Sequence, residues 1–131
     1  MEPIITIEIS PSFSLGLTII LLREIGQTEA GITYSMKLDN MPPVSVDTAE
    51  AEHIVSVARA LTVHPLTDFN CGLDGTTIRL AIEQGFNKAQ FEWWCDLPNQ
   101  WEPFRTLFAA MENLMRKAYP NYDLRLNPED K

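Results

Sequence analysis

Four residues between positions 64 and 74 have side chains that can take part in catalysis: His64, Asp68, Cys71 and Asp74. A cysteine becomes a nucleophile when an imidazole accepts its proton and a carboxylate orients that imidazole. One hypothesis is therefore a small enzyme in which Cys71 attacks the substrate, His64 is the base and Asp68 orients it. The competing interpretation is structural, because cysteine is commonly buried and aspartate is common in turns. The structural interpretation is favoured, since the sequence has no glycine-rich loop that would form an oxyanion hole.

Metal and cofactor sites have characteristic spacings that this sequence lacks. The same four residues supply one imidazole, one thiol and two carboxylates, but they match neither C-x-x-C nor H-E-x-x-H. Gly72, Gly75 and Gly85 form neither a dinucleotide-binding G-x-G-x-x-G motif nor a Walker pattern. We therefore predict that the chain holds no metal and no cofactor.

The aromatic residues of the last third of the chain indicate a binding surface. Trp93 and Trp94 are consecutive in a predicted strand, so their side chains point to opposite faces of the sheet. Trp93 is expected in the core, whereas Trp94 either covers the outer face or is exposed there. An exposed tryptophan among acids is a suitable anchor for a protein partner, because it offers a large contact area at low entropic cost. The predicted partner-binding residues are Trp94, Phe86, Glu92 and Asp74.

A β-hairpin is predicted to position these residues. Asp74-Gly75 is a turn dipeptide, because glycine adopts positive φ angles freely and aspartate can accept a hydrogen bond from the nearby backbone. Apolar and polar residues then alternate over 78–83 and again over 89–95, with a break at Gly85-Phe86-Asn87. This pattern predicts two consecutive strands.

Three further strands are predicted in the first third of the chain. Apolar residues alternate with polar ones over 5–10 and over 32–38, and the segment 15–22 is apolar on both faces. Because the connections between these segments are short, an antiparallel meander is the simplest arrangement. The sequence Met41-Pro42-Pro43 then breaks the pattern.

Two helices complete the predicted fold. A capping box begins at Asp47, and the helix that follows it is expected to stop before Pro65. A second capping pattern begins at Asn99, and an apolar stripe of helical period continues from there to about Tyr119. The predicted order is βββαββα, which indicates an α+β domain with a mostly antiparallel five-stranded sheet and two helices on one face. A single domain is expected over 1–131, with 121–131 as a tail that carries a short extended piece at 122–124.

Charge and composition exclude several classes of function. The chain has 131 residues, a formal net charge of −8 and no basic patch. An acidic surface repels phosphate backbones and anionic lipids, so we expect binding to neither nucleic acid nor membrane. Two cysteines are too few for a disulfide framework, and the opening residues, Met-Glu-Pro, lack the basic region that is typical of a signal peptide. Cytoplasmic residence is therefore predicted.

The second half of the chain carries a distinctive succession of motifs. The run 71–77, Cys-Gly-Leu-Asp-Gly-Thr-Thr, is followed by a strand pair ending in Trp93-Trp94 and by Pro98-x-x-Trp101 at the start of a terminal helix. This succession resembles small bacterial α+β proteins of unassigned function. The resemblance implies an α+β domain and carries over no catalytic residue. In size, acidity and predicted fold the chain is also similar to immunity proteins.

Three hypotheses for the function follow. The leading one is a non-enzymatic, acidic, cytoplasmic protein that binds a basic protein partner, of the immunity or inhibitor type, because negative charge accelerates encounter with such a partner. The second is the cysteine-dependent enzyme that uses Cys71 and His64. The third is a homodimeric structural or chaperone-like module with Trp94 at its interface.

Overall fold

The computed structural model describes residues 1–26 and 31–122 of the chain. All but the first residue of the predicted extended piece at 122–124, and all but the first two residues of the predicted tail at 121–131, therefore lie outside the described residues. The strands are β1 (Glu2–Pro11), β2 (Leu17–Ile25), β3 (Ile32–Leu38), β4 (Val44–Val46), β5 (Thr76–Gln84) and β6 (Asn87–Trp94). The helices are α1 (Thr48–Arg59) and α2 (Phe104–Ala118), and a short 3₁₀ turn over Asn99–Trp101 precedes α2.

All the described strands belong to one antiparallel sheet in the order β4-β3-β2-β1-β5-β6. The α+β class, the two helices and the antiparallel sheet are confirmed. The predicted five strands and the order βββαββα are wrong, because the described residues form six strands in the order ββββαββα. The additional strand, Val44–Val46, pairs with Tyr34–Met36 of β3. At three residues it is too short for an alternating pattern to reveal it.

One face of the sheet forms the core together with both helices. The register places Ile7 of β1 between Ile19 of β2 and Leu80 of β5, and all three side chains are fully buried. The remaining fully buried core residues include Ile5, Leu21, Met36, Phe104, Leu107, Met111 and Met115. Because strand residues two apart share a face, the period of two places the strand members of this set on one face, and the helical period of α2 supplies the others.

Helix α1 begins as its capping pattern predicts and ends earlier than predicted. The carboxylate of Asp47 accepts a hydrogen bond from the Glu50 amide over 3.0 Å. The Glu50 carboxylate pairs with Lys117 of α2 instead of reaching back to the cap. The helix ends at Arg59, five residues before His64, the residue that precedes Pro65. The chain then turns so that Leu61 and Val63 pack against the core.

Helix α2 is anchored at its C-terminal end by a tyrosine. The hydroxyl of Tyr119 lies 3.0 Å from the carbonyl oxygen of Met36 and 2.9 Å from that of Pro42, and its single proton is shared between these two acceptors. Burial raises the pKa of Tyr119, and a smaller opposing effect comes from a backbone hydrogen bond with Leu38. The contact joins the end of α2 to the connection between β3 and β4.

We expect Tyr119→Phe to lower the free energy of unfolding by about 1–2 kcal/mol, because two carbonyl oxygens lose their donor. The pKa of a tyrosine in the unfolded chain is about 10. Because folding raises the pKa of Tyr119, its contribution to stability is fully present below that pH and is lost as the pH rises through the folded pKa. The difference between wild type and variant in urea unfolding should therefore shrink in alkali. Tyr34→Phe is the control, since the Tyr34 hydroxyl bonds to no described residue. Equal losses from both substitutions would contradict this role.

Candidate functional site

The predicted catalytic residues do not form a catalytic arrangement. His64, Asp68, Cys71 and Asp74 are all exposed, and no hydrogen bond joins their side chains in the part of the chain that the structure describes. Over the same residues, no group of three or more histidine, cysteine or acidic side chains is placed to hold a metal ion. These four side chains therefore share a loop without forming a site together.

The segment 60–75, here called the long loop, is held to the rest of the protein at three points. The indole nitrogen of Trp101 donates to the carbonyl of His64 over 2.7 Å. The amide of Asn70 donates to the carbonyl of Trp94 over 3.1 Å. The backbone groups of Ser12 and Gly75 bond over 3.0 Å, and the Ser12 hydroxyl also contacts Gly75. The turn between β1 and β2 and the long loop therefore lie side by side.

Trp94 is half-buried because the long loop lies on its ring. A methyl group added to Gly72 would overlap the six-membered ring of Trp94. A methyl group added to Gly75 would lie 2.7 Å from Cε2 of the same indole and 2.5 Å from the sulfur of Cys95. Two glycines thus allow the loop backbone to contact the indole directly. The Trp94 side chain therefore covers the outer face of the sheet at the end of β6, and the long loop covers part of its ring.

Two of the other predicted partner-binding residues lie near Trp94 within one chain, and one does not. Asp74 precedes Gly75, which lies against the indole, and Glu92 lines the same hollow as Trp94. Phe86 is fully exposed at the turn before β6, and Trp94 is at the far end of that strand, roughly 25 Å away at the usual rise per residue. Glu92 receives hydrogen bonds from Arg79, which also contacts Glu8 over 2.7 Å. These bonds raise the pKa of Arg79.

Five large, exposed apolar side chains on the β1–β2 turn and on the long loop were not predicted from the sequence. They are exposed on the β1–β2 turn and on the long loop: Phe13 (86%), Leu15 (96%), Leu66 (84%), Phe69 (92%) and Leu73 (100%). We call this set the turn-end surface. Leu15 had been assigned to a strand, whereas β2 begins at Leu17. In the sequence each of these residues is next to Ser, Pro, Asn or Gly and lies outside any alternating pattern. Such a setting is typical of an exposed loop.

The segments that carry the turn-end surface, and those bonded to them, contain acidic residues and no lysine or arginine. No lysine or arginine occurs over 1–22, 60–78 or 89–104, the segments that meet at this end of the sheet. Asp68 and Asp96 line a hollow of about 250 Å³ beside Trp94, and Asp74 is exposed nearby. A ligand that approaches this end of the molecule therefore meets both exposed apolar side chains and carboxylates.

No family model, curated protein or solved structure matches this chain. The resemblance to small bacterial proteins and the similarity to immunity proteins therefore stay predictions. Across residues 1–26 and 31–122, no helix has the length and apolar character needed to cross a membrane. The function has to be argued from the surfaces described above.

Proposed function

We propose that this protein is a non-enzymatic binding protein that docks a basic protein partner through the turn-end surface, in the manner of an acidic immunity or inhibitor protein. The observation that carries the proposal is the exposure of five large apolar side chains on two loops that are bonded to each other. Grouped apolar side chains of this size on a water-exposed surface mark an interaction site more often than a free surface.

The chemistry of the surface indicates the kind of partner. Phe13 and Phe69 are suited to fill apolar pockets, which is how aromatic residues contribute most of the affinity of many interfaces. Asp68 and Asp74 lie on the same loop as Phe69, Asp96 follows β6, and these segments contain no lysine or arginine. Carboxylates at the rim accelerate association with a cationic surface, and this acceleration weakens as salt rises. Cytoplasmic residence is part of the same proposal.

Pull-down from a bacterial lysate at low and high salt tests the proposal. We expect wild type to retain a basic protein at low salt and less of it at high salt. The variant Phe13→Ser/Phe69→Ser should lose it, because the apolar anchors are gone. Ile25→Ser is the matched control, since Ile25 is also an exposed apolar residue but follows the opposite end of the sheet. Retention of no protein at either salt, or equal retention by both variants, would count against the proposal.

A further inference from the structure

Strand β6 presents an unpaired edge. In an antiparallel sheet, consecutive residues of a strand direct their backbone groups to opposite neighbours. The Cys95 amide donates to the Thr76 carbonyl over 2.7 Å, and this bond fixes which residues of β6 face β5. They are the odd-numbered residues. The backbone groups of Lys88, Gln90 and Glu92 therefore point away from the sheet.

This edge is open along most of its length. Within the described residues, no hydrogen bond from outside the sheet reaches the backbone of Lys88, Gln90 or Glu92, and all three residues are exposed. Only the end is covered, where the Trp94 carbonyl accepts from Asn70. The strand contains no proline, and its unbroken register with β5 means that it contains no β-bulge. Prolines and bulges are two features that commonly prevent an edge strand from pairing with another chain.

We propose that β6 pairs antiparallel with β6 of a second copy of this chain, about a two-fold axis that passes through Gln90. This register places Lys88 opposite the partner's Glu92 and Glu92 opposite the partner's Lys88. Each of these two pairs, and the central pair of Gln90 residues, exchanges two backbone hydrogen bonds. The register also places the fully exposed Phe86 beside the partner's Trp94. The two aromatic residues that one chain holds far apart are adjacent in the dimer.

Charge selects this register over its neighbours. Moving the axis to residue 88 would place Lys88 opposite the partner's Lys88, and moving it to residue 92 would place two Glu92 residues opposite each other. Opposite charges across a strand pair are favourable and like charges are not. Of these three registers, the one with its axis at Gln90 is the one in which Lys88 and Glu92 each face a residue of opposite charge. The two-fold symmetry makes this contact twice.

The side chains involved have capacity for these contacts. Arg79 bonds to Oε1 of Glu92, which leaves Oε2 as an acceptor for the partner's Lys88. In its own chain Lys88 makes a long contact of 3.7 Å with Glu83. Glu92 also borders the hollow lined by Asp68 and Asp96, which adds negative charge where the partner's ammonium would lie.

Charge-swapped variants test the pairing by sedimentation. Lys88→Glu alone places glutamates opposite each other, and Glu92→Lys alone places lysines opposite each other. Each substitution should raise the dissociation constant of the dimer about tenfold, because two cross-strand pairs of opposite charge become pairs of like charge. Mixing the two variants should restore association as a heterodimer, since every lysine then faces a glutamate. Failure of the mixture to associate would overturn the proposal, as would a monomeric wild type at its highest soluble concentration.

Gln90→Pro provides a second test that does not depend on charge. The Gln90 amide points away from β5, so a proline there removes no bond of the monomer but blocks the centre of the dimer. We expect a monomer whose circular dichroism resembles that of wild type. A dimer that persists in this variant would place the interface elsewhere. Phe13→Ser/Phe69→Ser should leave the dimer intact, so a failure of this pairing is distinguishable from a failure of the proposed partner binding.

Discussion

Replacing Phe104 by alanine should lower the free energy of unfolding by about 3–5 kcal/mol. Phe104 is the first residue of α2 and is fully buried. Its ring centroid lies 4.7 Å from that of Phe91, 5.9 Å from that of Trp101 and 6.0 Å from that of Trp93, with which it stacks. Alanine would leave a cavity that the three neighbouring aromatic rings cannot close by small movements. Urea unfolding followed by tryptophan fluorescence measures the loss.

The same helix offers the matched control for this prediction. Thr106 is exposed, so Thr106→Ala should change the unfolding free energy by no more than about 0.5 kcal/mol. The cavity should also affect the proposed binding surface, because Trp101 both packs on Phe104 and holds the carbonyl of His64. We therefore expect Phe104→Ala to make the long loop more susceptible to proteolysis. A loss of stability below about 1 kcal/mol would mean that the aromatic cluster is not the centre of the core.

The sequence predicted five of the six described strands, four of them from alternation and β2 from a continuous apolar run. Leu80 and Phe91 lie opposite each other as the period of two requires, and Trp93 is buried while Trp94 is on the outer face. Strand β4 was missed because three residues carry no period. The end of α1 was placed too late, since Pro65 excludes helix only at its own position and at the residue before it. The helix ends at Arg59, and Leu61 and Val63 beyond it pack against the core.

The surfaces were less predictable than the sheet, because they depend on contacts between distant segments. The hydrogen bonds between Ser12 and Gly75 bring together parts of the chain that are separated by 63 residues. No local sequence pattern predicts such a contact, so the sequence alone does not indicate that Phe13 and Leu73 lie on neighbouring loops. Trp94 illustrates the same limit. The period of the strand predicts that Trp94 lies on the outer face of the sheet. No sequence pattern predicts that Gly72 and Gly75 lie against its ring.

Gly72→Ala should lower the free energy of unfolding by about 1–3 kcal/mol, as overpacking does elsewhere. The added methyl group overlaps the indole of Trp94, and the φ angle at Gly72 lies outside the left-handed region, so the cost is steric. The loop has to rise from the ring, which should shift the fluorescence of Trp94 to longer wavelengths. Cys71→Ala is the neighbouring control. Cys71 is exposed and bonds to no described side chain, so neither stability nor emission should change.

A double-mutant cycle separates the contact with the indole from a general effect on the loop. In a Trp94→Ala background the methyl group at position 72 meets no ring, so the second substitution should cost less than about 0.5 kcal/mol. An equal cost in both backgrounds would mean that Gly72 is required for the path of the loop rather than for its contact with Trp94. If the cycle gives coupling of about 1 kcal/mol or more, the indole is what holds Asp74 and Leu73 at the end of the sheet. Partner binding by the turn-end surface should then fall with either single substitution, although neither changes a residue of that surface.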